Sequence, residues 1–379
     1  MSKPIKVVSI ITRMNTGGAA RLIDSLSQGF HESKEIDHLL VIGEVARHEQ
    51  DFLAGKNVNY RIEIIEGLGK QISILQDLKA FINLMKLLRS EKPNIVHTHL
   101  SKAGLLGRLA AKIAVPKAKV VHTIHGHLYV GYFSKAFVFF LITLEKLLTK
   151  FTDLLIFTGP SVMAELNKLG IKKSNQVIIE PGVKPMTFVS KTQARSKFDL
   201  DLKKVIIGFA GRLTRVKRVD RLLDVFEEIQ QLHPNSQLII AGGGDLESWV
   251  QEQIDTRNLN VKLLGWQSNI SDVIAACDIW MLTSDNEATP LSAIEASLGG
   301  VVTVATNVGD VGHAIENELS GLVVNADVQS LVSAVKELIT DSARRQTLAD
   351  NAKVRAESLF LEDKMVQSHI NQYLKISKS

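Results

Sequence analysis

Cysteine is almost absent: Cys277 is the only one in 379 residues. That excludes a disulfide framework and any metal site built on several thiolates, and it fits a reducing compartment. Long apolar runs are lacking too. The longest, "AFVFFLITL" from Ala136 to Leu144, is about half of the roughly 20 residues that span a bilayer, so no transmembrane helix is expected. The opening "KPIKVVSIITRMNTGG" has too short an apolar run for a signal peptide and no small-residue cleavage site. It reads as a buried strand followed by a glycine turn, and a cytoplasmic protein is expected. Acidic D-x-D motifs reduce to "DLD" at Asp199–Asp201, inside a charged stretch that reads as solvated loop. No repeat of about 20–50 residues and no low-complexity tract stands out.

What is present is a hydrophobic content of 45% over a length that suggests two domains of ordinary size. Charge divides unevenly between them. Residues 1–188 hold 25 Lys+Arg against 15 Asp+Glu and the rest hold 20 against 25, so the first half carries +10 and the second −5. A basic half suggests an anionic partner such as nucleic acid, a membrane surface or a phosphorylated acceptor.

Short β-branched runs alternate with longer amphipathic segments: "IKVVSII", "DHLLVIG", "NIVHTH", "AKVVHTIHG" and "DLLIFTG", then "KVIIGFAG", "SQLIIAGGG", "VKLLGW", "DIWMLTS" and "VVTVATNVG". Each is followed by a turn signal, the pattern of parallel sheets covered by helices. The fold class is therefore α/β, with two Rossmann-like, doubly wound domains, residues 1–187 and 188–359. A linker is expected near Val183–Lys204, where "EPGVKPMTFVSKTQARSKFDLDLKK" carries two prolines and a charged run. Ligands of such sheets bind at the carboxyl ends of the strands, and the candidate residues follow strands.

The stretch "SDNEATPLSAIEA", Ser284–Ala296, sets Glu287 and Glu295 eight positions apart. Thr289 suits an N-cap and Pro290 a first helical position, which starts a helix between the carboxylates. Glu287 then lies at the helix mouth and Glu295 roughly 7.5 Å further along the axis, so the two cannot serve one atom. Backbone N–H groups of Leu291 and Ser292 suit a phosphate. A diphosphate beside two carboxylates is tolerable where the carboxylates accept bonds from hydroxyls on either side of it, which is the layout of sugar, diphosphate and ribose. In "GRLTRVK", Arg212 offers a bidentate donor and Lys217 a point charge for the phosphates, which removes the need for Mg²⁺. Gly17 and Gly18 of "TGGAAR" let amides approach the same diphosphate from the first domain. His97, His99, His122, His125 and His127 invite a zinc reading. Those in "HTH" and "HTIHGH" end neighbouring strands, with His97 and His99 on one face, and lining a polar cleft accounts for them without metal.

Together, "NTGGAAR", "NIVHTHLSKAGLLGRLAA", "KVVHTIHGH", "IIEPGV", "GFAGRLTRVKRVDRLLDVF", "LIIAGGGDLE", "VKLLGW", the E-x7-E stretch and "VATNVGDVGHAI" resemble, in order and spacing, the GT-B-fold retaining glycosyltransferases of family 4. The resemblance spans nearly the whole chain and is greatest to members that build capsular or O-antigen polysaccharide. It implies two Rossmann-like domains facing a central cleft, with a C-terminal helix over 360–379 packing back on the first. It implies that Glu287 contacts donor-sugar hydroxyls, Glu295 binds the ribose, Arg212 and Lys217 neutralise the leaving diphosphate, Gly18 contacts it, and His125 lies near the transferred sugar. His99, Lys102 and His127 fall on the acceptor side. The implied donor is a nucleotide sugar, UDP-linked, and the acceptor a glycan or polyprenyl-diphosphate-linked saccharide. No metal, no cofactor and no nucleic acid are implied, and contact with the inner face of the cell membrane is. Two departures bear on the donor's identity: Ala288 replaces the usual glycine after the first glutamate, and "GGVV" lacks a proline.

Three rival readings differ in what they require. A glycosidase has no use for cations and glycine loops aimed at a diphosphate, and its carboxyl groups flank one bond at about 5–9.5 Å. A nucleotide-sugar epimerase would act without an acceptor. A noncatalytic nucleotide-sugar-binding subunit would release no diphosphate.

Overall fold

The structure is a computed structural model describing residues 3–46, 49, 51–69, 71, 73–126 and 135–378. The chain divides into two compact units, Met1–Lys184 with Glu362–Ser379, and Pro185–Leu361. The first runs β1 (Ile5–Ile11), α1 (Gly18–Glu32), β2 (Ile36–Ile42), β3 (Arg61–Ile64), α2 (Ile74–Glu91), β4 (Ile95–His99), α3 (Ser101–Ala114), β5 (Lys119–Ile124), α4 (Lys135–Lys150), β6 (Leu154–Phe157), α5 (Pro160–Lys168) and β7 (Gln176–Ile178). Its seven strands lie in the order β3-β2-β1-β4-β5-β6-β7, all pairs parallel. The order reverses between β1 and β4. Central strands such as Ile5–Ile11 are buried on both faces and read as continuous apolar runs for that reason.

Helix α3 lies close on the sheet because of two glycines one turn apart. A Cβ on Gly104 would sit 2.7 Å from His122 Cε1, and one on Gly107 2.7 Å from Thr98 Cγ2. Arg108, fully buried on the same helix, forms a bidentate pair with Glu145 of α4 at 2.6 and 2.7 Å.

The second unit runs α6 (Lys191–Lys197), β8 (Val205–Ala210), a 3-10 turn (Arg215–Lys217), α7 (Val219–Leu232), β9 (Ser236–Ala241), α8 (Glu247–Thr256), β10 (Val261–Gly265), α9 (Ile270–Ala276), β11 (Ile279–Leu282), α10 (Leu291–Leu298), β12 (Val302–Thr306), α11 (Val311–Ala314), β13 (Gly321–Val324), α12 (Val328–Thr340) and α13 (Ser342–Leu359). Its six parallel strands order as β10-β9-β8-β11-β12-β13, with the reversal between β8 and β11. The last helix, α14 (Glu362–Ser377), belongs to the first unit, where it packs on α1 and β1.

The expected linker is only partly a linker. Ser190 and Gln193 form a reciprocal capping box that starts α6. Arg195 is buried and donates to the carbonyls of Ala276, Leu202 and Lys204 and to Asp278 at 2.6 Å. Residues 190–204 are therefore part of the second unit's fold.

Candidate functional site

In the second unit the loops after β8 and β11 meet where the strand order reverses, the crevice where ligands of open α/β sheets bind. The loop after β9 holds the first of them. Gly242 has φ +136°, and a Cβ there would lie 2.0 Å from the Gly211 carbonyl oxygen, so only glycine fits. The Gly211 and Leu213 amides donate to Ala241 and Gly243 carbonyls at 3.0 Å each, which fixes Arg212 between them at the strand end.

The β8 and β11 loops are in turn stitched together. The Asp285 amide donates to the Val216 carbonyl at 2.9 Å, and the Thr283 hydroxyl to the Lys217 carbonyl at 3.0 Å. Arg218, in the left-handed region at φ 49°, and Arg221 both pair with Asp285. Lys217 thus arrives beside Glu287, and its Nζ lies 2.6 Å from Oε1. The Ser284 hydroxyl donates to that same oxygen at 2.6 Å, while the Ser284 carbonyl accepts from Thr306 at 2.6 Å. Glu287 is 9% exposed. Sequence reasoning treated Lys217 and Glu287 as serving different parts of a ligand, whereas the structure pairs them directly.

Helix α10 begins at Leu291, one residue later than expected, with Pro290 as the cap residue (φ −78°, ψ 101°) and Thr289 outside the helix. The proline ring accepts no hydrogen bond. Instead the Pro290 carbonyl accepts from the Ala293 and Ile294 amides, which leaves Leu291 and Ser292 as first-turn donors without an intrahelical carbonyl. Glu295, fifth in the helix, is 2% exposed. The two carboxylates therefore sit on a loop and inside a helix, with the helix mouth between them.

In the first unit, Gly17 precedes α1 with an extended backbone and Gly18 is its first residue. His99 ends β4 and His125 directly follows β5, and their rings meet at 3.1 Å from Nδ1 to Nε2. Burial holds both imidazoles neutral, pushing His125 down to about 4 and His99 well below 6.5. The His125 Nδ1 has no partner among the described residues. His97 does not line a cleft. Its ring is fully buried with Nδ1 on the Tyr373 hydroxyl of α14 at 2.6 Å and Nε2 on Thr123 at 2.7 Å, so α14 covers the face on which a polar lining was expected. His122 bonds the hydroxyl and carbonyl of Thr98. The His97 and His122 rings are spent on protein partners, and among the described residues no group of three or more His, Cys, Asp or Glu could hold a metal ion. Lys102 pairs with Asp77 of α2 and donates to the Gln71 carbonyl at 2.5 Å, bracing α2 against α3. His127 lies outside the described residues.

Ser284 and the Arg218, Arg221 and Asp285 cluster were missed from sequence. Ser284 carried a signal, since it opens the E-x7-E stretch three residues before the glutamate it bonds. Tyr373 carried none, being 276 positions from His97.

Residues 16–186 match the model of the family described as Glycosyltransferase Family 4, and residues 190–355 that of Glycosyl transferases group 1. The UDP-Gal:alpha-D-GlcNAc-diphosphoundecaprenol alpha-1,3-galactosyltransferase of Escherichia coli is 30% identical over 295 residues, covering 74% of this chain and 75% of that protein. The capsular polysaccharide biosynthesis glycosyltransferase CapM of Staphylococcus aureus is 24% identical, covering 92% and 99%. Among solved structures, a sucrose-phosphate synthase from Thermosynechococcus elongatus superposes with a TM-score of 0.85 at 19% identity over 98% of this chain and 99% of that one. HepE of Anabaena, in complex with UDP and glucose, superposes at 0.83 and 19% over 97% and 99%. The fold is GT-B, and the chain belongs to the group 1, family 4 glycosyltransferases.

Proposed function

We propose that this glycosyltransferase moves a sugar from a nucleoside diphosphate, UDP by preference, to a hydroxyl of a polyprenyl-diphosphate-linked saccharide in cell-surface polysaccharide synthesis, with retention of anomeric configuration. The observation that carries the reading is the Lys217–Glu287 pair at 2.6 Å beside the α10 mouth. It sets a cation for phosphate next to a carboxylate for sugar hydroxyls. Arg212 and Lys217 stabilise the charge that develops as the bond from the anomeric carbon to the diphosphate breaks and the bond to the acceptor oxygen forms. Leu291 and Ser292 amides add donors at the helix start. Glu295 accepts from the ribose hydroxyls. His125, held neutral by burial, contributes hydrogen bonding rather than charge. With protein cations in this role the reaction runs without a divalent metal.

The UDP-sugar and lipid-diphosphate acceptor named for the E. coli relative, and the UDP complexes of HepE, support these choices of donor and acceptor. A polyprenyl acceptor places the enzyme at the inner face of the cell membrane. The test is a thermal-shift screen over nucleotide sugars followed by diphosphate release with lipid-linked acceptors. Stabilisation by UDP-sugars with UDP released only when acceptor is present supports transfer. Interconversion of donor sugars without acceptor would mean an epimerase, and binding without release a noncatalytic subunit.

A further inference from the structure

The neighbouring strands β4 and β5 use their two faces differently. Thr98 and His122 bond each other on the face that Gly104 and Gly107 of α3 approach. His97, His99, Thr123 and His125 are spaced by two along the chain and share the opposite face, the one covered by α14. There three imidazoles stand in series. His97 is clamped by hydroxyls at both nitrogens, with Tyr373 on Nδ1 and Thr123 on Nε2. The His99 ring packs against it at 4.0 Å between centroids, and Nδ1 of His99 then meets Nε2 of His125 at 3.1 Å. His99 is 1% exposed, so packing sets the direction of its ring and the place of its Nδ1. The resemblance put His99 on the acceptor side, but this nitrogen is spent on His125.

The 3.1 Å contact restricts where the hydrogens lie. Burial keeps both rings neutral, and a neutral imidazole carries one N–H and one lone pair. Two lone pairs do not face each other at that distance, so one of the two nitrogens donates. If His99 donates, the hydrogen of His125 must sit on its Nδ1, a buried atom without a partner among the described residues. If His125 donates from Nε2, its Nδ1 keeps a bare lone pair. A buried N–H without an acceptor is the rarer orphan in folded proteins, which favours the second arrangement. The open lone pair then selects its ligand. It repels a diphosphate oxygen, itself only an acceptor, and suits a sugar hydroxyl, which donates.

We infer that His99 is a positioning residue: its Nδ1 accepts from the Nε2–H of His125, and this holds the Nδ1 lone pair of His125 ready for a hydroxyl of the bound sugar. The inference rests on the proposed transfer reaction and deepens the part given there to His125. Tyr373 and Thr123 act one ring further back, by fixing His97 behind His99.

Two substitutions separate hydrogen bonding from packing. H99F keeps a ring against His97 and removes the acceptor nitrogen, whereas H99N loses the ring and sets an amide oxygen near the place of Nδ1. The two roles therefore predict opposite orders of activity. H99F should lower kcat about tenfold or more with calorimetric UDP affinity unchanged, and H99N should recover most of the loss. Equal losses in the two variants, or an active H99F beside an inactive H99N, overturn the inference. Weakened UDP binding in H99F does so too, because His99 would then serve the nucleotide. A second measurement needs neither turnover nor a folded H99F. Nitrogen-15 NMR of the full chain labelled at histidine should show the His125 hydrogen on Nε2, with the signal identified by its loss in H125F. A hydrogen on Nδ1 overturns the inference whatever the variants do. Failure of wild type to bind UDP or to transfer sugar strikes the transferase reading instead, and the position of that hydrogen is read independently of it.

Discussion

Glu287→Gln tests whether the first glutamate of the E-x7-E stretch belongs to the sugar or to the nucleotide. The substitution keeps the volume and the bond from the Ser284 hydroxyl, but it turns the Lys217 contact from an ion pair into a cation–amide contact. That pair spans 2.6 Å with side chains 26% and 9% exposed, partly screened, and is worth about 1 kcal/mol. A UDP phosphate recruiting the Lys217 ammonium must draw it from Glu287, and without that competitor binding gains up to about 1 kcal/mol, or about fivefold in Kd. With Glu287 in the proposed role, transfer loses the charge and one of the two acceptor oxygens that meet donor-sugar hydroxyls, and turnover should fall on the order of 10²-fold or more. Isothermal titration with UDP and a coupled UDP-release assay measure the two quantities separately. A variant that binds UDP tenfold more weakly, with turnover restored at saturating donor, would refute the reasoning and make Glu287 a nucleotide ligand.

Glu295→Ala should weaken UDP binding itself by about tenfold or more, since a 2% exposed carboxylate has its hydrogen bonds to lose, and titration with UDP checks it. Arg212→Ala and Lys217→Ala should each cut turnover on the order of 10²-fold in initial-rate assays. EDTA should leave activity largely intact; activity lost in EDTA and restored by Mn²⁺ or Mg²⁺ would overturn the assignment of phosphate charge to these cations. Acid should destabilise the first unit. Burial lowers His38 to about 3 and His125 and His369 to about 4, so the unfolded chain binds more protons below pH 6.5 and stability falls with pH through the window from about 6.5 to 4. Each histidine costs about 1.4 kcal/mol per pH unit there, and three approach the usual whole-domain stability by pH 5. Thermal melts from pH 7.5 to 5 test this, and a melting temperature flat across the range would refute it.

All the central strands were legible in the sequence, together with the edge strand β10, and the three that were not, β3, β7 and β13, are all edges. An interior strand such as Leu154–Phe157 is buried throughout and announces itself as an apolar run. Arg61–Ile64 alternates with charge and is mostly exposed, and Gln176–Ile178 has three residues, so neither carries a period to read. The site shows the same division. Glu287, Glu295, Arg212 and Lys217 were visible because each follows a strand, but the Lys217–Glu287 bond joins residues 70 apart through two loops held by Thr283 and Asp285. His97 was misplaced because α14, which buries it, is written at the other end of the chain.

That placement of α14 sets an order of assembly. Met365, Val366, His369, Ile370, Tyr373 and Ile376 complete the first unit's interior, yet they leave the ribosome after the whole of the second unit, which is contiguous from Pro185 to Leu361. During synthesis the second unit can close its core first, while β1, β4 and α1 hold an apolar groove open for the last helix. A nascent chain stalled shortly after Leu361 therefore carries one finished unit and one that still exposes its interior, a species for chaperones to shield. Cutting the chain between α13 and α14 should damage the first unit and spare the second, although most of the first unit's residues remain.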